Sequence, residues 1–197
     1  MVDREKIYAS EPADVYARER LSAKRYGHTV RVAMTAEDLA RLHGLDPARA
    51  RLAALLHDAA RELSAGEFLG LAADLGVPIG EPERESPKLL HGPVAAELAR
   101  RELSIKDDEV LDAVREHTTG RPGMGPLALA LFVADKIEPA RDYPSVGKLR
   151  RLAGEDLRAA AAESLRRTIV HNEERGRPTH PASTETLAWL EEAEEGA

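Results

Sequence analysis

Apolar residues recur along this chain at spacings of three and four, the period of helices that bury one face. Nowhere do apolar and polar residues alternate with the period of two expected of a half-buried strand. A first helix is expected to follow Ser10-Glu11-Pro12, with Val15 and Leu21 on its inner side. Ser22 is a fitting N-cap for a second, from Ala23 to about His43, whose Val30, Val32, Ala33, Ala36, Leu39, Ala40 and Leu42 repeat at helical spacing. Gly44 ends it. A third begins with Asp46 as N-cap and Pro47 at the first helical position, and carries the apolar run Leu52 to Leu56. Ser64 caps a short helix over 65–75 that stops at Gly76, and the proline-rich residues 76–88 read as a loop. Helices are then predicted from Val94 to about Leu103, over 110–118 with Asp107-Asp108-Glu109 at its start, and over 126–138. Amphipathic helices over about 146–152 and 155–175 and a last helix around Trp189 complete the chain. Residues 1–10 read as a poorly tied terminus. The pattern is that of an all-α protein.

Polar residues interrupt the apolar runs at a few points. His57-Asp58 closes the run Leu52 to Leu56, His91 follows Leu89-Leu90, His117 ends the helix begun at Val110, and Asp135 follows Phe132-Val133-Ala134. His28 lies in the second turn of its helix. A charge beside such residues is costly unless something pairs with it. The His57-Asp58 dipeptide alone is read equally well as a surface pair at a helix C-terminus or as two metal ligands. Each histidine alone is read as a satisfied core residue. Six such groups, His28, His57, Asp58, His91, His117 and Asp135, with nothing comparable in the last third, point to a metal site inside a helical bundle. His43 reads as a capping or surface residue, and His171 and His180 as structural or solvent-exposed.

Composition narrows the chemistry. Of 197 residues, 43% are hydrophobic but only 4% aromatic, so the core is built from Leu, Ala, Val and Ile. No cysteine is present, which removes disulfides, thiolate zinc sites and cysteine nucleophiles together. A net charge of −7 argues against broad binding to a nucleic-acid backbone. It does not argue against a small anion, because bound cations reverse the local field. The chain shows neither a secretory signal nor a run of transmembrane length, so a cytoplasmic protein is expected, with no membrane partner.

The segments RYGHTVRVA (25–33), AALLHDAAR (53–61), LLHGPVAAELA (89–99), VLDAVREHTTG (110–120) and LFVADKIEPARDY (131–143) resemble the HD superfamily of metal-dependent phosphohydrolases. Within it the HG, HTTG and ADKIEPAR contexts resemble the bacterial YqeK-type symmetrical diadenosine tetraphosphate hydrolases. The family's usual lysine is replaced by Arg61. The resemblance implies one HD domain over 1–197, a helical bundle with its metal-binding core at about 20–140 and a helical extension at about 145–197. It implies two divalent metal ions, iron first, with manganese and zinc as alternatives. His28, His57, Asp58 and Asp135 would hold one and His91 and His117 the other, with Asp58 bridging and with Asp58 and His57 central to catalysis. A metal-activated hydroxide would cut the dinucleotide at its middle to give two ADP. Arg25, Arg61, Thr118 and Arg141 are candidate substrate contacts. Lys136 is expected to point away from the site, and Glu138 to pair with Arg141. Other readings are an HD enzyme for a nucleoside monophosphate or cyclic dinucleotide, a non-catalytic HD binding module, and a helical structural protein with buried histidines. A homodimer through the last two helices is compatible with their apolar faces.

Overall fold

The computed structural model describes residues 12–192, and the regular elements among them are all helical. In chain order they are α1 (Pro12–Arg20), α2 (Ala23–Leu42), α3 (Pro47–Leu56), α4 (Ala65–Leu75), α5 (Glu81–Glu85), a 3-10 turn (Pro87–Leu90), α6 (His91–Glu102), α7 (Asp108–Glu116), α8 (Pro126–Ile137), α9 (Val146–Glu155), α10 (Leu157–Glu174) and α11 (Pro181–Glu192). The expected loose terminus over residues 1–10 lies outside the described residues.

The helix starts follow from local chemistry. Ser22 Oγ accepts the Arg25 amide at 3.4 Å, and Asp46 accepts the amides of Ala48 and Arg49 at 2.8 and 3.3 Å. Ser64 and Glu67 exchange side-chain and backbone bonds in a capping box. Each such cap satisfies amides that the helix leaves open and is worth about 1 kcal/mol.

Three expectations are corrected. The stretch 76–88 is not all loop: it contains α5 and the first half of the 3-10 turn, where Pro82 and Pro87 stand in first turns and need no N–H partner. For the same reason α6 starts at His91 rather than Val94, with Pro93 tolerated in its first turn. On α1 the buried face is Ala13, Asp14, Tyr16 and Ala17; Val15 is only half-buried, while Leu21 is buried as expected.

Helix α8 lies at the centre. All its residues except Pro126 and Lys136 are buried, as a helix apolar on every side requires. It packs against α2, α3, α7, α9 and α10, and α2 lies along α3. The α2 and α3 residues in the core are largely alanines (Ala33, Ala36, Ala40, Ala50, Ala53, Ala54), and small side chains allow close helix approach. Leu55 and Leu56 are fully buried at the end of α3. Each contributes about 1.5–3 kcal/mol and anchors the turn that follows.

Two glycines set the spacing near the site. A Cβ on Gly92 would lie 2.9 Å from the carbonyl oxygen of Val114 and 3.2 Å from Cε1 of His117, so α6 and α7 meet with no side chain between them. Gly120, at φ +72°, lets the loop after α7 turn beneath Thr186 of α11; a Cβ there would lie 2.8 Å from Thr186 Cγ2. Ser183 Oγ of α11 donates to the Thr119 carbonyl at 3.0 Å, so the last helix is tied to the segment carrying His117 and Thr118.

Candidate metal centre

All six polar groups that interrupt the apolar runs converge. His57 is 0% exposed and Asp58 3%, and His28, His91, His117 and Asp135 are buried as well. His57 follows the last residue of α3, His91 follows the 3-10 turn, His117 follows the last residue of α7, and Asp135 lies in the last turn of α8.

Helix ends explain how the rings are aimed. The last carbonyls of a helix lack intrahelical partners. His57, His91 and His117 each use Nδ1 on the carbonyl three residues back, Ala54 at 2.6 Å, Lys88 at 2.5 Å and Val114 at 2.7 Å. A carbonyl only accepts, so each Nδ1 carries the proton and each Nε2 keeps a lone pair. His28 reaches the same state with another partner, Nδ1 donating to Glu138 Oε1 at 3.1 Å. All four Nε2 atoms then face one volume.

That volume is built for cations. Nε2 of His91 and Nε2 of His117 are 2.9 Å apart, two lone pairs face to face. Nε2 of His28 lies 3.0 Å from Asp135 Oδ1, and Nε2 of His28 and of His57 are buried without a hydrogen-bond partner. Buried acceptors turned toward one another repel unless a positive charge lies between them. Asp58 divides the rings into two sets. Its Oδ2 lies 3.5 Å from His57 Nε2 and 3.9 Å from His28 Nε2, and its Oδ1 lies 3.4 Å from His91 Nε2 and 4.0 Å from His117 Nε2. The ligand atoms of His28, His57 and Asp58 lie within 4.8 Å of one another, as do those of Asp58, His91 and His117, so each trio is able to hold an ion. Imidazole nitrogen and carboxylate oxygen suit divalent iron, manganese or zinc.

The electrostatics agree. Burial, reinforced by the Arg61 guanidinium, pushes His91 down to about 4, and burial with the neighbouring His91 and His57 keeps His117 well below its ordinary range. Both rings are therefore neutral, as ligands must be. Burial alone would raise the Asp135 carboxyl, but Lys136, His28, His57 and Arg141 outweigh it and hold it well below the usual carboxylate range. The Asp58 carboxyl is likewise held below its ordinary value against burial, its interaction with His57 being the largest opposing cause.

The candidate substrate contacts rim this centre. Arg25 Nη1 donates to Asp58 Oδ2 at 3.1 Å, and Arg141 Nη2 to Asp135 Oδ1 at 2.7 Å. Arg61 Nη1 lies 3.1 Å from His91 Nδ1, and Thr118 Oγ1 lies 3.1 Å from Nε2 of both His91 and His117. An acidic chain thus presents a cationic collar around this centre. One neighbour differs from expectation: Lys136 turns to the site, with Nζ 2.8 Å from Asp135 Oδ2. Glu138 forms the expected ion pair with Arg141, at 3.9 Å, but it also holds His28 and Arg31 (2.7 Å), and Arg141 lies closer to Asp135. Glu138 and the three helix-end carbonyls are what sequence reasoning missed: a carbonyl carries no residue signature, and Glu138 meets His28 across 110 positions of chain. His43 lies apart, bonded to the Ala153 carbonyl at 2.8 Å, and His180 pairs with Glu83 at 2.9 Å. His171 is exposed on α10.

A family model described as "HD domain" matches residues 25–140. The symmetrical bis(5'-nucleosyl)-tetraphosphatase of Bacillus subtilis (strain 168) is 38% identical over 180 residues, which cover 91% of this chain and 96% of the relative. The protein of the same description from Halalkalibacterium halodurans is 39% identical over 172 residues, 86% of this chain and 90% of the relative. A crystal structure from Clostridium acetobutylicum, described as a predicted HD superfamily hydrolase involved in NAD metabolism, superposes with a TM-score of 0.89 at 33% identity, over 98% of this chain and 99% of that one. With its paired histidines on either side of a shared aspartate, and relatives matched over nearly their whole length, the chain belongs to the HD-domain family, alongside the symmetrical bis(5'-nucleosyl)-tetraphosphatases.

Proposed function

We propose that this protein hydrolyses diadenosine tetraphosphate symmetrically to two ADP, using two divalent metal ions. The observation that carries the reading is Asp58, whose two carboxylate oxygens each face a different pair of histidine Nε2 atoms. His28, His57, Asp58 and Asp135 would hold one ion and His91, His117 and Asp58 the other. Iron is the first choice, with manganese and zinc as alternatives, since availability as well as donor type decides occupancy. Two such ions, when bound, make water acidic enough to attack at neutral pH and neutralise phosphate oxygens.

The chain's own residues do the rest. Hydrolysis breaks the bond between an inner phosphorus and the central bridging oxygen. The water oxygen joins that phosphorus, and the second ADP leaves with the bridging oxygen. Arg25, Arg61 and Arg141 bind and orient the polyphosphate as a fixed collar, and such preorganised charge favours the transition state. Thr118 presents its hydroxyl beside His91 and His117, within reach of a phosphate oxygen there. Asp58 and His57 hold the two halves of the centre in register.

The test is metal analysis of the purified protein together with chromatography after incubation with diadenosine tetraphosphate. About two metals per chain and ADP as sole product are expected. An AMP and ATP pair would refute the symmetry, and turnover of other nucleotides alone would leave an HD enzyme of another specificity. Asp58→Ala is expected to lose both metal content and turnover; a variant with near wild-type rate would refute the shared-ligand arrangement.

A further inference from the structure

The collar accounts for the phosphates and leaves the two nucleosides unplaced. Two grooves border the collar on either side of the centre. The first, of about 870 Å³, begins at Lys136 and Arg141, which both touch Asp135, and runs along α10 past Tyr143, Arg167 and Val170. The second, of about 890 Å³, begins at Arg61 and Thr118, which both touch His91, and runs past Lys88, Asn172 and Arg177. Thr168 on α10 lines both, so the grooves adjoin along that helix, and together they make up a trench with α10 as wall. Each is the size of a small-ligand pocket.

Resting on the reading that the substrate is a symmetrical dinucleoside tetraphosphate, we propose that each groove takes one nucleoside diphosphate half, with α10 as their common wall. Registering both ends makes the middle of the bridge the point of cleavage and selects a dinucleotide. A site holding a single nucleoside would measure distance from one end alone, and would accept a mononucleoside polyphosphate equally well. The near ends of both grooves are cationic, Lys136 and Arg141 in one, Arg61 and Lys88 in the other, where a diphosphate would lie. The rest of the lining differs. The first offers the Tyr143 ring and the side chain of Val170, 50% exposed, which suit the flat apolar face of a base. The second offers the Asn172 amide, Thr179 and His180, which suit hydrogen bonding to a base edge or ribose. Its rim is fixed by the His180–Glu83 pair, which ties the α10–α11 connection to α5. Identical halves are therefore held by unlike chemistry, so ADP binds in two affinity classes.

Calorimetric titration of the metal-loaded protein with ADP tests this directly. Two ADP per chain with unequal affinities are expected. Val170→Glu sets an anion in the first groove and Arg177→Glu in the second, both at exposed positions where folding is not at stake. Each is expected to weaken a different ADP class by about tenfold or more, and to raise KM for the dinucleotide by a similar factor, since one tenfold step is about 1.4 kcal/mol. One ADP per chain in the wild type, or both variants acting on the same class, would overturn the proposal. Lys24→Glu addresses a smaller hollow of about 420 Å³ over His28 and Arg25. Loss of a class there, with Val170→Glu silent, would move that half to the hollow and also overturn it. Two bound ADP without turnover of the tetraphosphate would support the trench and remove the proposed reaction.

Discussion

Glu138 accepts from His28 Nδ1 on one carboxylate oxygen and from Arg31 Nε on the other, with the Ala140 amide also bonded at 2.7 Å. Its carboxylate takes the place that backbone carbonyls fill behind the other three ligand rings. Partners of this kind fix ring orientation and tautomer, and losing one costs about 10–100-fold in metal affinity. Glu138→Ala is expected to fall in that range, and Glu138→Gln, which keeps an acceptor oxygen, to lose less. Competition with a chelating dye measures both; unchanged affinity in the alanine variant would dismiss the role. His91 gives a prediction in pH. Its folded ring takes a proton only near pH 4, whereas the unfolded chain takes one near its ordinary value of 6.5. The unfolded state therefore binds more protons between the two. The metal-free chain should lose stability as pH falls from about 6.5 to about 4, with no further change from this ring below that. Urea midpoints across that range would reveal it, and a flat profile would contradict it.

At the scale of elements, the contact between α6 and α7 decides whether His91 and His117 meet. Gly92 allows it, because its hydrogen faces the carbonyls of Val114 and Arg115 at the C-terminal end of α7. Gly92→Ala would have to push those carbonyls away by several tenths of an ångström, and Val114 O is also the acceptor that aims His117. Overpacking of this kind costs about 1–3 kcal/mol. The variant is expected to fold with a lower melting temperature and to lose metal preferentially from the His91–His117 side. Full metal content at wild-type affinity would show that the approach is not what aligns the rings. The trio of helix-end histidines has a related logic. A ring placed just past a helix terminus finds an open carbonyl three residues back, so the helix end itself supplies the orienting partner.

For the whole molecule, the centre ties together at one point helices that lie far apart in sequence and already pack on one another. His28 comes from α2, His57 and Asp58 from the turn after α3, His91 from α6, His117 from the end of α7 and Asp135 from α8. An ion bound to the folded state alone stabilises it by mass action, about 2.7 kcal/mol per site at a hundred times the dissociation constant. At this chain length that corresponds to roughly 5–10 °C per site. Removing metal with a chelator should therefore lower the melting temperature, and restoring it should recover the loss in two increments. A melting temperature indifferent to metal would favour a helical protein with buried histidines. None of the described helices is long and apolar enough to cross a membrane.

Much of this was legible in the chain itself. The helical period, the caps at Ser22, Asp46 and Ser64, and the six polar groups set against apolar runs are local properties, and local chemistry determined them. The HG, HTTG and ADKIEPAR contexts carried the family for the same reason: residues that must touch one ion keep their types and spacing. What only the tertiary structure decided is everything that depends on segments meeting. Asp58 faces two histidine pairs because α3 ends between α2 and the α6–α7 contact. Glu138, rather than a neighbour, orients His28 because α8 lies along α2 across more than a hundred residues of sequence. Lys136 reaches Asp135 although the two are adjacent, since its direction depends on side-chain torsions that spacing does not determine. The trench along α10 exists only once the last helices are packed against the core, because a groove is a property of two surfaces and no stretch of sequence carries it alone.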